Sequence, residues 1–154
     1  MLFRSWATFR GVQAYAPDPA WVLDGQYTPF AVPEPVTVGV VVDRIKHVYD
    51  AVGRIEFEAG GQPLALTAFP GRAADQLSVL FTDATSGRTT YPACRSLTVG
   101  IAGGQQSVTL DFNRAVNLPC AYTDFATCPL PPAGNRLPVA VEAGEQTPYE
   151  RAAH

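Results

Sequence analysis

Six polar residues in the last third of the chain, Asp111, Asn113, Asn117, Asn135, Glu142 and Glu145, have the types from which a site is built, and Arg95 lies just upstream. Two carboxylates brought together in a concave site are the usual equipment for general acid–base work. Asp111 with Glu142 or Glu145 would suit a hydrolase on that ground. Amides and one guanidinium on a shared wall would instead orient a small ligand. Side chains alternate along a strand, so Asp111 and Asn113 are expected on one face, with Glu142 and Ala140 sharing a face of a later strand. A plainer role competes with both chemistries. Asn and Asp in irregular chain mostly satisfy backbone groups, and Arg95 could simply pair with Asp111.

Cys120 and Cys128 stand eight residues apart in a proline-rich stretch. A disulfide between them would stabilise by roughly 2–3 kcal/mol through loop entropy. Zinc sites want four ligands and closer pairs such as C-x-x-C, and only Cys94 and His47 could complete a set here. The reading preferred is two small buried side chains with a structural role and no metal. His47, beside Lys46 in a strand-like run, reads as an exposed strand residue too isolated for a general base. There is no G-x-S-x-G elbow and no phosphate loop with its lysine. No cofactor is expected.

These residues must be positioned by the stretch Leu110 to Glu145, LDFNRAVNLPCAYTDFATCPLPPAGNRLPVAVEAGE. A long structureless loop in a compact domain is usually functional or disordered. Leu118, Tyr122, Phe125 and Leu130 can bury area, so an ordered loop packed on the domain is expected. Upstream, Trp21-Val22-Leu23 and Gln26-Tyr27 read as a first strand, followed by a stiff connection at Pro29, Pro33 and Pro35. Val36, Val38, Val40 and Val42 alternate as a β-branched strand. Ile55-Phe57 and Leu64-Leu66-Ala68, joined at Gly60-Gly61, form the clearest hairpin. Leu77, Val79 and Phe81 alternate with Ser78, Leu80 and Thr82, which reads as a central strand buried on both faces. Asp83 to Gly87 is a turn whose side chains cap their own backbone. Strands follow at Leu97–Val99, at Val108, Leu110 and Phe112, and finally at Leu137, Val139 and Val141.

The chain has 154 residues, enough for one domain that buries about 70% of its unfolded surface. The 14 prolines and 13 glycines favour turns over long helices. The fold class is therefore all-β, a sandwich or partly open barrel of eight or nine short strands with a long ordered C-terminal loop. Residues 1–15 form an arm or short helix, residues 16–146 the domain, and residues 147–154 a frayed tail. Net charge is −3 with scattered cations and a single lysine, which argues against nucleic acid and anionic membranes as partners. No apolar run approaches the ~20 residues of a membrane helix. The N-terminus lacks the apolar core of a signal peptide, and the cysteine count is odd, so a cytoplasmic location is expected.

The motifs LDFN, NLPCA, CPLPP, N-R-L-P-V and AGE, in this order, resemble the signature of the DUF1684 family of bacterial proteins. Gly53-Arg54-Ile55-Glu56-Phe57, Leu80 to Gly87 and Thr90-Tyr91 extend the resemblance upstream, as does Tyr15-Ala16-Pro17-Asp18-Pro19. It spans roughly residues 9 to 145. Family members often carry glycines between the tyrosine and the arginine; here Pro92-Ala93-Cys94 separate Tyr91 from Arg95, which implies a different local turn. The resemblance supplies boundaries and no activity. The reading preferred is a small-molecule-binding domain whose pocket is framed by residues 111–145. A paired-carboxylate hydrolase and an interaction module with an aromatic patch from residues 3–30 are the alternatives. Whether the protein is an enzyme, and how it associates, is left open.

Overall fold

A computed structural model describes residues 10–41 and 46–149. Seven antiparallel strands form one sheet in the order β6-β1-β2-β3-β4-β5-β7. They are β1 (Val22–Val38), β2 (His47–Ala59), β3 (Gln62–Pro70), β4 (Gln76–Phe81), β5 (Arg95–Gly100), β6 (Ser107–Asp111) and β7 (Val116–Asn117). Short 3-10 turns sit at Pro19–Trp21, Phe112–Arg114, Pro119–Ala121 and Ala133–Asn135. The all-β expectation holds, with seven strands where eight or nine were expected.

Two expected strands merge. β1 runs through Pro29, Pro33 and Pro35, which were read as a connection. Proline cannot donate to a ladder and belongs on an edge or at a bulge. β6 pairs only with Val22–Gln26, and beyond the Tyr27 N–H bond to the Gln106 carbonyl no strand among the described residues pairs with that edge of β1. On its other side, its register with β2 slips between Pro29 and Glu34. The prolines fall in this tolerant stretch. Val40 makes only an isolated bridge to Pro129, and Val42 lies outside the described residues, as do most of the N-terminal arm and Ile45.

The β2–β3 hairpin forms as expected. Ala59 pairs with Gln62, and Gly60 and Gly61 both take positive φ, 61° and 73°. A two-residue hairpin turn of this hand demands such values, and glycine adopts them without strain. β3 pairs with β2 along Gln62–Ala68 and with β4 only at Phe69 and Pro70. The sheet therefore changes direction along β3 and curls. Its inner face holds one cluster that includes Ile55, Leu66, Val79, Leu97 and Leu110, and Phe112 packs between Phe57, Phe81 and Trp21.

The expected last strand does not form. Leu137 and Val141 are buried, yet their segment crosses the end of β4 in an irregular extended path. Thr82 donates its N–H to the Asn135 carbonyl and accepts from Leu137, and Ala84 N–H bonds to the Val139 carbonyl. Alternation alone cannot distinguish a strand from an extended segment tied at every second residue. The described part of the tail is also fixed, since Thr147 N–H bonds to the Thr89 carbonyl and Pro148 is buried. Tyr15 N–H bonds to the Gly144 carbonyl, so both ends of the described chain meet.

Candidate functional site

β4 and β5 send alternate residues to two different environments. Inward, Leu77, Val79 and Phe81 join Leu97 and Val99 in the core. Outward, Gln76, Ser78 and Leu80 lie beside Ser96 and Thr98. β4 was expected to be buried on both faces, and the outer face is instead the floor of a cleft of about 640 Å³. That volume is within the range of about 300–1,000 Å³ typical of small-molecule sites. The long loop forms one wall through Val116, Asn117, Leu118 and Pro119, then Pro129, Leu130 and Pro132. Val38 and Tyr49 close the side where β1 and β2 overhang, and Tyr49 meets Phe69 edge-on at 6.4 Å.

The loop is ordered by particular bonds. Leu130 N–H donates to the Gly39 carbonyl and Val41 N–H to the Cys128 carbonyl, tying the loop to the end of β1. Asn135, fully buried, receives the Thr67 N–H at 2.8 Å and donates to the carbonyls of Thr67 and Leu80 at 2.9 and 2.8 Å. One side-chain amide thus joins β3, β4 and the loop. Behind the wall, Tyr91, Cys120, Ala121 and Cys128 form a second apolar cluster.

All three cysteines are buried free thiols. Cys120 N–H points to Cys128 Sγ at 3.4 Å, and Cys94 Sγ–H donates to the Pro129 carbonyl at 3.6 Å. Burial, with the neighbouring Cys120 and Cys128 adding to it, pushes the Cys94 thiol up to about 12. A thiol held neutral in this way is a packing group and no nucleophile. Cys94 lies just before β5, and there it fastens the loop. No group of three His, Cys, Asp or Glu side chains placed to hold a metal occurs among the described residues. His47 is exposed at the start of β2.

Of the seven polar residues singled out from the sequence, only Asn117 lines the cleft. Arg95 is buried on the opposite face and does not pair with Asp111. Its Nη2 donates to Asp83 Oδ1 at 3.4 Å and to the Val141 carbonyl at 3.1 Å, and its Nη1 donates to the carbonyls of Ala143 and Glu145. The guanidinium lies 5.1 Å from the Phe81 ring centre. Burial pulls its ordinary value down, and Asp83 opposes that pull. Asp83, a turn residue in the sequence reading, is the missing partner. Its carboxylate also accepts from Val141 N–H at 2.6 Å and from the Thr85 hydroxyl. Arg95 and Asp83 therefore clamp the segment 141–145 to the sheet.

Asp111 and Glu145 are likewise occupied. Asp111 accepts from Asn113 N–H and Nδ2 and pairs with exposed Arg114 at 3.4 Å. Asn113 exchanges bonds of 2.9 Å with the backbone of Asp18, holding the N-terminal segment and not the long loop. Glu145 accepts Asn117 N–H at 2.6 Å, and Asn117 Nδ2 donates to the Gln146 carbonyl at 2.8 Å. Gly144, at φ 77°, sits where a Cβ would meet the Ala115 carbonyl oxygen at 2.7 Å, so the AGE motif admits only glycine there. Glu142 is exposed. None of the three acids proposed for general acid–base chemistry lines the cleft. Of the aromatic patch expected from residues 3–30, Phe3, Trp6 and Phe9 lie outside the described residues, Tyr27 is buried and Trp21 packs on Phe112.

Sequence reasoning missed the cleft floor. Ser78, Ser96 and Thr98 carry no motif, and the only available signal was polar residues alternating with core residues on two adjoining strands. Among the described residues, no helix is long and apolar enough to cross a membrane.

The model of a protein family of unknown function, DUF1684, matches residues 7–146. An uncharacterised protein of Haloarcula marismortui, solved in solution by NMR, is similar at 31% identity with a TM-score of 0.76, over 96% of this chain and 82% of that one. No curated protein matches. With a family match over nearly its whole length and motifs that lie at the clamp, the cleft wall and the loop anchor, the chain belongs to the DUF1684 family.

Proposed function

We propose that this protein binds a small molecule in the cleft between the outer face of β3–β5 and the loop 116–132. The observation that carries the reading is a preformed concavity of about 640 Å³. Its walls are mostly apolar, with Leu80, Val116, Leu118 and Leu130 set against a few hydroxyls, a mixture typical of ligand sites. The cleft is framed by part of the stretch 111–145, and its polar groups come mainly from β4 and β5. Four prolines in or near the walls, Pro70, Pro119, Pro129 and Pro132, restrict backbone freedom. A stiff site loses less entropy on binding. Three reduced thiols suit a reducing compartment, and the reading includes a cytoplasmic location.

A fragment screen by amide NMR tests this. Hits are expected to shift resonances of Ser78, Leu80, Ser96, Thr98 and Leu118 together, and Ser96→Trp, which fills the floor, is expected to abolish them. Hits that map elsewhere, or that persist in the filled variant, refute the reading. The paired-carboxylate alternative has no observation in its favour, because its acids are bonded to the backbone or exposed away from the cleft.

A further inference from the structure

We infer that the cleft selects amphipathic monocarboxylates, with the carboxylate at Arg72 and the apolar body lying toward β7; this rests on the small-molecule reading above. Among the described residues no acidic side chain lines the cleft, and Arg72 is the one Lys or Arg side chain that does. Among the described residues Arg72 has no acidic partner. A cleft with a single cation and no acid favours an anion and rejects a cation.

The strand registers give the cleft a polar end and an apolar end. Ser78 lies opposite Thr98 on one side and Phe69 on the other, making one row across the floor. The next row is Leu80, Ser96 and Val116. Toward Arg72 the floor continues from Ser78 to Gln76, whose carbonyl receives Gly71 N–H at 2.9 Å and so holds the turn that carries Arg72. Guanidinium, amide and two hydroxyls therefore gather at one end. Away from it the chain leaves β7 through Leu118 and Pro119, and the lining is mainly apolar, with Ser96 and Asn117 as its polar members.

An occupant matched to this layout has a charged acceptor head and an apolar body. Gln76 to Leu80 spans four residue steps, about 13 Å at strand spacing, enough for an extended eight-carbon chain. A single guanidinium balances one negative charge and meets the planar carboxylate with two parallel N–H bonds. A phosphate dianion would retain uncompensated charge beside the one Lys or Arg that lines the cleft among the described residues.

Calorimetric titration with octanoate, octanamide and octylamine near neutral pH tests the assignment. Octanoate is expected to bind about three- to tenfold more tightly than octanamide, as suits one partly solvated charge-assisted pair. Octylamine is expected to be weakest. Arg72→Gln, an exposed substitution, should erase the octanoate advantage and leave octanamide unchanged. Equal binding of octanoate and octanamide, unaffected by Arg72→Gln, would overturn the charge assignment and leave the cleft standing as a site. Equal weakening of both by Arg72→Gln would overturn it too. Absence of saturable binding by all three would overturn the assignment and the small-molecule reading together.

Discussion

The two faces of β4 and β5 are built in opposite ways. On the inner side polar chemistry is consumed. Asp83 and Arg95 meet in the core, and nearly every acceptor and donor they present is taken by Thr85, Val141, Ala143 or Glu145. On the outer side Ser78, Ser96 and Thr98 look into unfilled space. The difference teaches how to separate structure from function in a family without an assigned activity. Asp83, Arg95, Asp111 and Glu145 hold the chain together, while the hydroxyls of Ser78, Ser96 and Thr98 face the cleft.

That contrast is broken most directly at Asp83. Removing one partner of a buried ion pair leaves the other charged and unpaired, at a cost of about 3–5 kcal/mol. Asp83→Ala is expected to lose that much in urea denaturation, and the segment 141–145 should lose amide protection in hydrogen exchange. A loss below about 1 kcal/mol would mean that the clamp is not what fastens the segment.

Asn135 and Asn113 sharpen the comparison at intermediate size. Asn135→Ala strands buried backbone groups of β3 and β4 and should cost about 1–3 kcal/mol. In a domain of this size each kcal/mol lowers the melting temperature by roughly 2–4 °C. Asn113 bridges Asp18 near the surface, so water replaces its bonds and Asn113→Ala should cost about 1 kcal/mol or less. Differential scanning calorimetry that ranks the two equally would contradict the assignment of Asn135 as the junction of three elements.

The smallest effect belongs to the cleft floor. Thr98→Val keeps the shape and removes an exposed hydroxyl, so stability should move by no more than about 0.5 kcal/mol. A ligand placed at the polar end should nevertheless bind more weakly, as read by titration. A destabilisation as large as that of Asn135→Ala would show that Thr98 belongs to the structural inventory.

Much of the architecture was legible one residue at a time. Period-two alternation at Ile55–Phe57, Leu77–Phe81 and Leu97–Val99, and the glycine pair at 60–61, are local facts that suffice to call strands and a hairpin. Motif order marked the family. Three readings failed for reasons that are not local. The prolines of β1 are compatible with a strand only because β6 ends its pairing at Gln26. Leu137, Val139 and Val141 alternate like a strand, but backbone bonds of Leu137 and Val139 to Thr82 and Ala84, and bonds of the Val141 backbone to the Asp83 and Arg95 side chains, hold them outside any strand ladder. Arg95 was expected to pair with Asp111, but the fold brings Asp83 into the core beside it and pairs Asp111 with Arg114.

The sequence by itself determined the strand class, the tight turn and the family, since these depend on propensity, periodicity and the order of rare residues along the chain. The tertiary structure alone decided which polar groups are consumed and which are left facing a cleft. Whether a hydroxyl or a carboxylate is available depends on what lies across from it. That is set by register, sheet curvature and the path of a distant loop, none of which is written at the residue itself.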